Sequence, residues 1–173
     1  MSRLSLEEKV ETAAIIRKRI EALPLFAEAR TLLLFHSLPD EVCTHEWIRE
    51  WSKTKNILLP TVSGEVLTVR PYDARQPLQK GRFGIAEPTG EEITDLSVID
   101  LAIIPGVGFD SHGNRLGRGK GFYDKLLIKI SAPLIGVAYD CQIVDDIPTL
   151  PHDIPMSLII SKNALFYSKK DIH

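Results

Sequence analysis

Between Pro105 and Asp124 the chain reads Pro-Gly-Val-Gly-Phe-Asp-Ser-His-Gly-Asn-Arg-Leu-Gly-Arg-Gly-Lys-Gly-Phe-Tyr-Asp, and here its residue types can do chemistry. Gly117, Gly119 and Gly121 alternate with Arg118 and Lys120, and Arg115 lies just upstream. Glycine permits positive φ and close backbone approach, so successive N–H groups can converge on an anion. A helix opening near Gly121 would point its positive end at the same place, worth about 0.3–1 kcal/mol per suitable charge. The cations of this loop would repel one another if it were empty, and a polyphosphate would resolve that through charge-assisted hydrogen bonds. The spelling excludes two familiar phosphate loops. A P-loop needs Ser or Thr after its Gly-Lys, and Gly121 follows Lys120 here; a dinucleotide fingerprint needs G-x-G-x-x-G, and neither Gly106-Val-Gly108 nor Gly117-Arg-Gly119 continues that way. What remains is an anion loop of another kind, or a solvated turn with incidental charges.

The elements that must position this loop follow from periodicity. Ser5 and Glu8 spell a capping box, followed by Leu6, Val10, Ala13, Ile16, Ile20 and Leu23 at helical spacing and ended by Pro24. Thr31–His36 is a continuous apolar run suited to a strand buried on both faces, and Thr44 is a candidate N-cap for a helix carrying Trp47, Ile48 and Trp51 as core residues. Ile57–Leu59 reads as a short strand closed by Pro60, and Val66–Arg70 alternates like an antiparallel or edge strand. From Asp73 to Asp95 the periodicity fails; a loop that long in a compact domain is either functional or poorly ordered. Leu101–Ile104, Leu134–Ala138 and Ser157–Ile160 are further buried strands, and Phe122–Ile130 has helical spacing. Apolar strands alternating with helices predict an α/β protein, a three-layer α/β/α arrangement with a largely parallel sheet and Rossmann-like layering. In such folds ligands sit beyond the carboxyl ends of the strands, which is where the glycine-rich run begins, just after Ile104.

Composition narrows the function. The chain has 173 residues, 44% hydrophobic and 25% charged, which suits a single globular domain over residues 1–173. With 21 basic against 23 acidic residues there is no cationic surplus for a nucleic-acid face. No apolar run is long enough for a membrane helix, and Cys43 and Cys141 lie too far apart in sequence for a C-x-x-C site. A cytoplasmic protein that binds a small molecule, with neither nucleic acid nor membrane as partner, is expected.

The run Pro105–Asp110 with Gly113–Asp124 closely resembles the signature of the 5-formyltetrahydrofolate cyclo-ligase family. Phe35–Glu41 with Thr44, Gly84-Ile85 with Glu87-Pro88, Gly136–Tyr139 with Gln142, and His152-Asp153 with Pro155 resemble other motifs of that family. The resemblance implies closure of the formyl group of 5-formyltetrahydrofolate into 5,10-methenyltetrahydrofolate at the expense of ATP. It implies ATP contacts along Arg115, Leu116, Gly117, Arg118, Gly119, Lys120, Gly121, Phe122 and Tyr123, with Arg118 and Lys120 as the catalytic cations. Folate contacts would fall on His36 and Glu41, with Arg118, Gly119, Lys120, Gly121 and Phe122 at the join, and Mg²⁺ on Asp124 and Asp153. The substrate would be a folate with or without a polyglutamate tail, and the enzyme a monomer. Family members also carry an upstream basic helix that this sequence does not show, Arg3 being the sole basic residue ahead of Lys9. Two other readings compete: a non-catalytic folate- or nucleotide-binding relative, and a sugar-phosphate enzyme on a similar fold. Taken alone, Glu41 reads as an exposed loop acid, His36 as a packed histidine, and His152-Asp153 as a turn and cap.

Overall fold

The computed structural model describes residues 4–168; Arg3 therefore lies outside the described residues. Ser5 caps α1 (Leu6–Glu21) as expected: its hydroxyl accepts from Glu8 N, and the Glu8 carboxylate accepts from Ser5 N. The stripe is shorter than its spacing predicts, because Ala13, Ile16 and Ile20 are buried whereas Leu6 and Val10 stand exposed. Pro24 both stops α1 and opens α2 (Pro24–Glu28), where a first-turn proline loses no hydrogen bond. Then follow β1 (Thr31–Leu33), α3 (His45–Trp51), β2 (Asn56–Ser63), β3 (Val66–Pro71), β4 (Gln79–Lys80), β5 (Ala86–Glu87), β6 (Leu101–Ile104), β7 (Gly108–Phe109), β8 (Arg115–Leu116), α4 (Phe122–Leu127), β9 (Leu134–Val137), β10 (Leu158–Ile160) and β11 (Leu165–Tyr167).

One sheet carries the order β11-β10-β9-β6-β1-β2-β3. Its inner pairs are parallel, and β3 and β11 close the two edges antiparallel. Both faces are buried. Leu32, Leu101 and Ile103 pack with α1 and α3 through Ile16, Ile20, Trp47 and Trp51, while Leu33, Ala102 and Ile104 pack with Leu126 and Leu127 of α4. That alternation explains the uninterrupted apolar strands and makes the arrangement three-layered.

Two local readings need correction. Pro60 does not close its strand but lies within β2, opposite Val69. Val69 directs its carbonyl away from β2, to Ile93 N, so the pair exchanges no ladder bond and the missing proline N–H costs nothing there. Thr44 makes no N-cap bond to α3, because its hydroxyl is engaged elsewhere. The chain from β1 steps out through α3 to β2 on one side, and the chain from β6 steps through α4 to β9 on the other. The reversal between β1 and β6 is the switch point of the sheet, and both strands end there.

Candidate active site

After β1 the chain leaves the sheet into a turn held from several sides. Ser37 N donates to Thr44 Oγ1 (3.2 Å), Thr44 N donates to Ser37 Oγ (3.0 Å), and Thr44 Oγ1 donates to the Phe35 carbonyl (2.5 Å). Leu38 and Glu41 close an inner turn: Glu41 N donates to Leu38 O, and Leu38 N to Glu41 Oε1 at 2.8 Å. Tyr139 OH donates to the Glu41 carbonyl at 3.1 Å. Glu41 is thus no exposed loop acid; it is 8% exposed, and burial pushes its carboxyl pKa up against the opposing pull of Leu38 N–H and Arg118. His36 stacks on His45 with ring centroids 3.9 Å apart, and burial, with His45 adding to it, lowers its pKa to about 4. It is a neutral imidazole at physiological pH.

The glycine-rich run starts on an equally firm base. Asp110 is fully buried and accepts from His112 N, Asn114 N, Asn114 Nδ2 and Ile147 N. Burial would raise its pKa, but these hydrogen bonds outweigh it and hold the carboxyl below its ordinary value. Gln142 Nε2 donates to Gly106 O, and Gly136 leaves room for the Phe109 ring, which a Cβ there would meet at 2.5 Å. Gly113, at φ +93°, lies against the Met156 carbonyl, so neither conformation nor space admits a side chain. Past β8 this support stops. Gly119 (φ +90°) and Gly121 (φ +71°) have nothing within 4 Å of a hypothetical Cβ. The loop is open backbone ending in α4, whose six residues offer little dipole, so any anion here would be met chiefly by loop N–H groups and cations.

Those cations are not mutually repulsive in the way the sequence suggests. Arg115 folds inward, 8% exposed, with Nε donating to the Pro105 carbonyl (2.6 Å), its guanidinium 4.8 Å above the Tyr123 ring, and Nη1 3.9 Å from Asp124 Oδ1. Arg118 Nη2 reaches Asp40 Oδ1 at 2.6 Å and Glu41 Oε2 at 3.5 Å. Lys120 Nζ lies 5.5 Å from the centre of the Phe83 ring. Each cation has its own local counterpart.

Two joined clefts result. The larger, about 530 Å³, has Arg115–Asp124 along one wall, with Phe83, Ile147, Pro148 and Asp153 among the facing residues. That volume is in the range of small-molecule sites. The smaller, about 70 Å³, includes His36, Glu41, Pro60 and Pro105. Leu38, Ile85, Arg118 and Tyr123 line both. All the candidate residues therefore gather at the switch point. The segment 73–95, structureless by pattern, folds into the β4–β5 hairpin and delivers Phe83 and Ile85 to the larger cleft. Phe83 holds φ +60°, unusual for an aromatic residue, and packs on Phe122 with centroids 6.0 Å apart. No pattern in the sequence marks Phe83; the Arg-Phe-Gly turn gives it away only through Gly84.

Asp124 is 58% exposed in the larger cleft. Asp153 closes a turn, accepting from Leu150 N at 2.7 Å through Oδ2, while Oδ1 stays 3.8 Å from His152 Nε2. Among the described residues no group of three or more His, Cys, Asp or Glu side chains could hold a metal unaided. Two hard carboxylates facing one cleft suit Mg²⁺, which takes the rest of its shell from phosphate and water. A further cleft of about 520 Å³ near Tyr72 offers less chemistry: Lys55 is spent on the Phe26 and Ala29 carbonyls, and Asp73 and Arg75 on each other. No helix among the described residues is long and apolar enough to cross a membrane.

Comparison with known proteins bears on the family of the whole chain. Residues 2–162 match the model of the 5-formyltetrahydrofolate cyclo-ligase family. The chain is 34% identical to the Haemophilus influenzae 5-formyltetrahydrofolate cyclo-ligase over 139 residues, covering 75% of this chain and 74% of that protein. It is 30% identical to the Escherichia coli K12 protein of the same name, with 94% of each covered. The NMR structure of Aquifex aeolicus 5,10-methenyltetrahydrofolate synthetase superposes with a TM-score of 0.86 at 31% identity, over 96% of this chain and 86% of that one. The Mycoplasma pneumoniae 5,10-methenyltetrahydrofolate synthetase superposes with a TM-score of 0.73 at 26% identity, over 93% and 91%. An open glycine-and-cation loop at a parallel-sheet switch point, in a chain that matches from end to end of its core, leads to one conclusion: the protein belongs to the 5-formyltetrahydrofolate cyclo-ligase family and is an enzyme of that class.

Proposed function

We propose that the joined clefts are the active site at which this chain converts 5-formyltetrahydrofolate to 5,10-methenyltetrahydrofolate, with ATP held along the larger cleft and the reacting end of the folate at the smaller. The observation that carries this is the position of Arg118. It lines both clefts, stands on the glycine loop, and touches Glu41 at the folate end. At about 70 Å³ the smaller cleft takes only the reacting edge of the folate.

The formyl oxygen is a poor leaving group. Transfer of the ATP γ-phosphoryl group to it releases ADP; the second folate nitrogen then attacks the activated carbon, and phosphate departs as that nitrogen's proton is lost to phosphate or water. Such transfer asks a protein for position and charge. Arg118 presents a planar fork to the transferring oxygens and Lys120 a mobile point charge. The N–H groups of Gly117, Gly119 and Gly121 cradle phosphate oxygens, with Leu116, Phe122 and Tyr123 as apolar walls. Arg115 supports the loop from beneath rather than meeting phosphate directly, given its bonds to Pro105 and Asp124. His36, neutral, and Glu41 take the folate. Asp124 and Asp153 would hold Mg²⁺, which neutralises phosphate charge when bound. The reading takes residues 1–173 as one cyclo-ligase domain acting as a cytoplasmic monomer on a folate with or without a polyglutamate tail. A single chain furnishes both clefts.

Methenyl-folate absorbance should grow only when ATP, Mg²⁺ and 5-formyltetrahydrofolate are all present. Under those conditions Glu41→Gln should raise the folate KM about tenfold with the ATP KM unchanged, the loss expected of one hydrogen bond at about 1.4 kcal/mol. Asp124→Asn should instead raise the Mg²⁺ requirement and leave folate binding alone. If both variants alter only the ATP KM, the folate end has been assigned wrongly.

A further inference from the structure

Arg118 has an address problem. Its backbone runs between Gly117 and Gly119, and a side chain added at Gly119 or Gly121 would meet nothing within 4 Å, so that stretch of the loop projects into open space. A long side chain on such a support samples many rotamers, and holding it at the junction of two clefts requires an anchor outside the loop. The turn across the cleft provides one. Asp40 sits at its apex, between the Leu38–Glu41 hydrogen bonds and within the Ser37–Thr44 clasp, and Lys9 Nζ reaches the neighbouring Pro39 carbonyl at 3.4 Å. Its Oδ1 accepts from Arg118 Nη2 at 2.6 Å, across 78 residues of sequence.

We infer that Asp40 is the positioning residue for Arg118: its carboxylate, fixed by the turn, holds the guanidinium at the junction where the phosphoryl group passes from ATP to folate. The inference rests on the proposed role of Arg118. Both acids meet the same nitrogen, Nη2, and among the described residues the Nη1 and Nε hydrogens have no partner, which leaves them available to phosphate oxygens. Glu41 is a poor substitute as anchor. It lies farther away, at 3.5 Å, and its other oxygen is committed to Leu38 N. A half-exposed ion pair of this kind adds little to folding. Its effect should therefore show in turnover and not in stability.

Steady-state kinetics and thermal melting of Asp40→Asn, Asp40→Glu, Arg118→Ala and the double variant Asp40→Asn/Arg118→Ala test this. Asp40→Asn should lower kcat about tenfold or more, since a small displacement of a charge-stabilising group is costly, with the folate KM within twofold and the melting temperature unchanged. Asp40→Glu should recover most of that loss by restoring the carboxylate. In the Arg118→Ala background the Asp40→Asn change should cost nothing further, because there is no guanidinium left to position. Asp40→Ser serves as a second truncation if Asn disturbs the turn, and should show the same kcat loss. The inference is overturned if Asp40→Asn or Asp40→Ser turns over within twofold of the unaltered enzyme, if Asp40→Glu is as slow as Asp40→Asn, or if the two losses multiply in the double variant. Normal turnover by Arg118→Ala would instead sink the assignment of the site itself.

Discussion

The two walls of the proposed active site are built on opposite principles. The Ser37–Thr44 turn is over-determined: side-chain clasps, an inner turn and a hydroxyl from Tyr139 all restrain it, and Glu41 is buried within it. The Gly117–Gly121 loop is less restrained: Gly117 lies against Arg115, but Gly119 and Gly121 have positive φ and open space where a Cβ would stand. Its restraints end at the Asp110 knot and the inward-folded Arg115. The difference suits the ligands each wall receives in the proposed reaction. A folate end must be held in one orientation against a nitrogen nucleophile, whereas a triphosphate changes charge and geometry as its last group leaves. A rigid wall facing a yielding one needs a link, and the Asp40–Arg118 pair is that link.

The contrast can be broken most severely on the rigid side. Thr44→Val keeps shape and volume but strips the Phe35 carbonyl and Ser37 N–H of a buried partner. Denaturant unfolding should show a loss of about 2–3 kcal/mol, the usual cost of buried groups left unsatisfied. The folate KM should rise with it. A loss under about 0.5 kcal/mol would mean that the turn is held chiefly by its other bonds.

A smaller effect is expected on the yielding side. Gly121→Ala puts a Cβ into open space at φ +71°, so its penalty is conformational, about 1–2 kcal/mol. Since no packing is lost, the melting temperature should move by only a few degrees while the ATP KM rises about tenfold. A variant with ordinary ATP affinity would show that the loop does not need this conformation when ligand is bound.

The smallest effect belongs to His36. Its pKa lies near 4 in the folded state, against 6.5 for an ordinary histidine. Between those values the unfolded chain binds the extra proton and the folded chain does not, so stability should rise with pH from about 4 to 6.5 and then level off. Replacing His36 by Gln should flatten that part of the profile by about 1 kcal/mol, after allowance for its partial exposure. An unchanged slope would place the titrating group elsewhere.

Much of this architecture is legible in the residues. The unbroken apolar runs at Leu101–Ile104 and Leu134–Val137 are strands buried on both faces, because helices cover both. The glycine–cation alternation marks the proposed anion loop, and its position after a buried strand places it at the carboxyl end of the sheet. What could not be read depends on tertiary neighbours. Pro60 sits inside a strand because its partner turns a carbonyl to Ile93, a contact 24 or more residues from either clue. Arg115 reads in the sequence as one more loop cation, and its inward fold onto Tyr123 and Pro105 depends on those neighbours. Phe83 and Asp40 reach the site through a hairpin and a turn whose spelling is ordinary.

The central claim is that Arg118, at the junction of the two clefts, stabilises the transferring phosphoryl group. Single-turnover formation of methenyl-folate by Arg118→Ala, with ATP, Mg²⁺ and 5-formyltetrahydrofolate all saturating, tests it most directly. The rate should fall about 10²–10³-fold, as for loss of one charge-stabilising donor, with the melting temperature little changed, and Arg118→Lys should recover only a minor part because the planar fork is gone. A rate within a few-fold of the unaltered enzyme would contradict the claim.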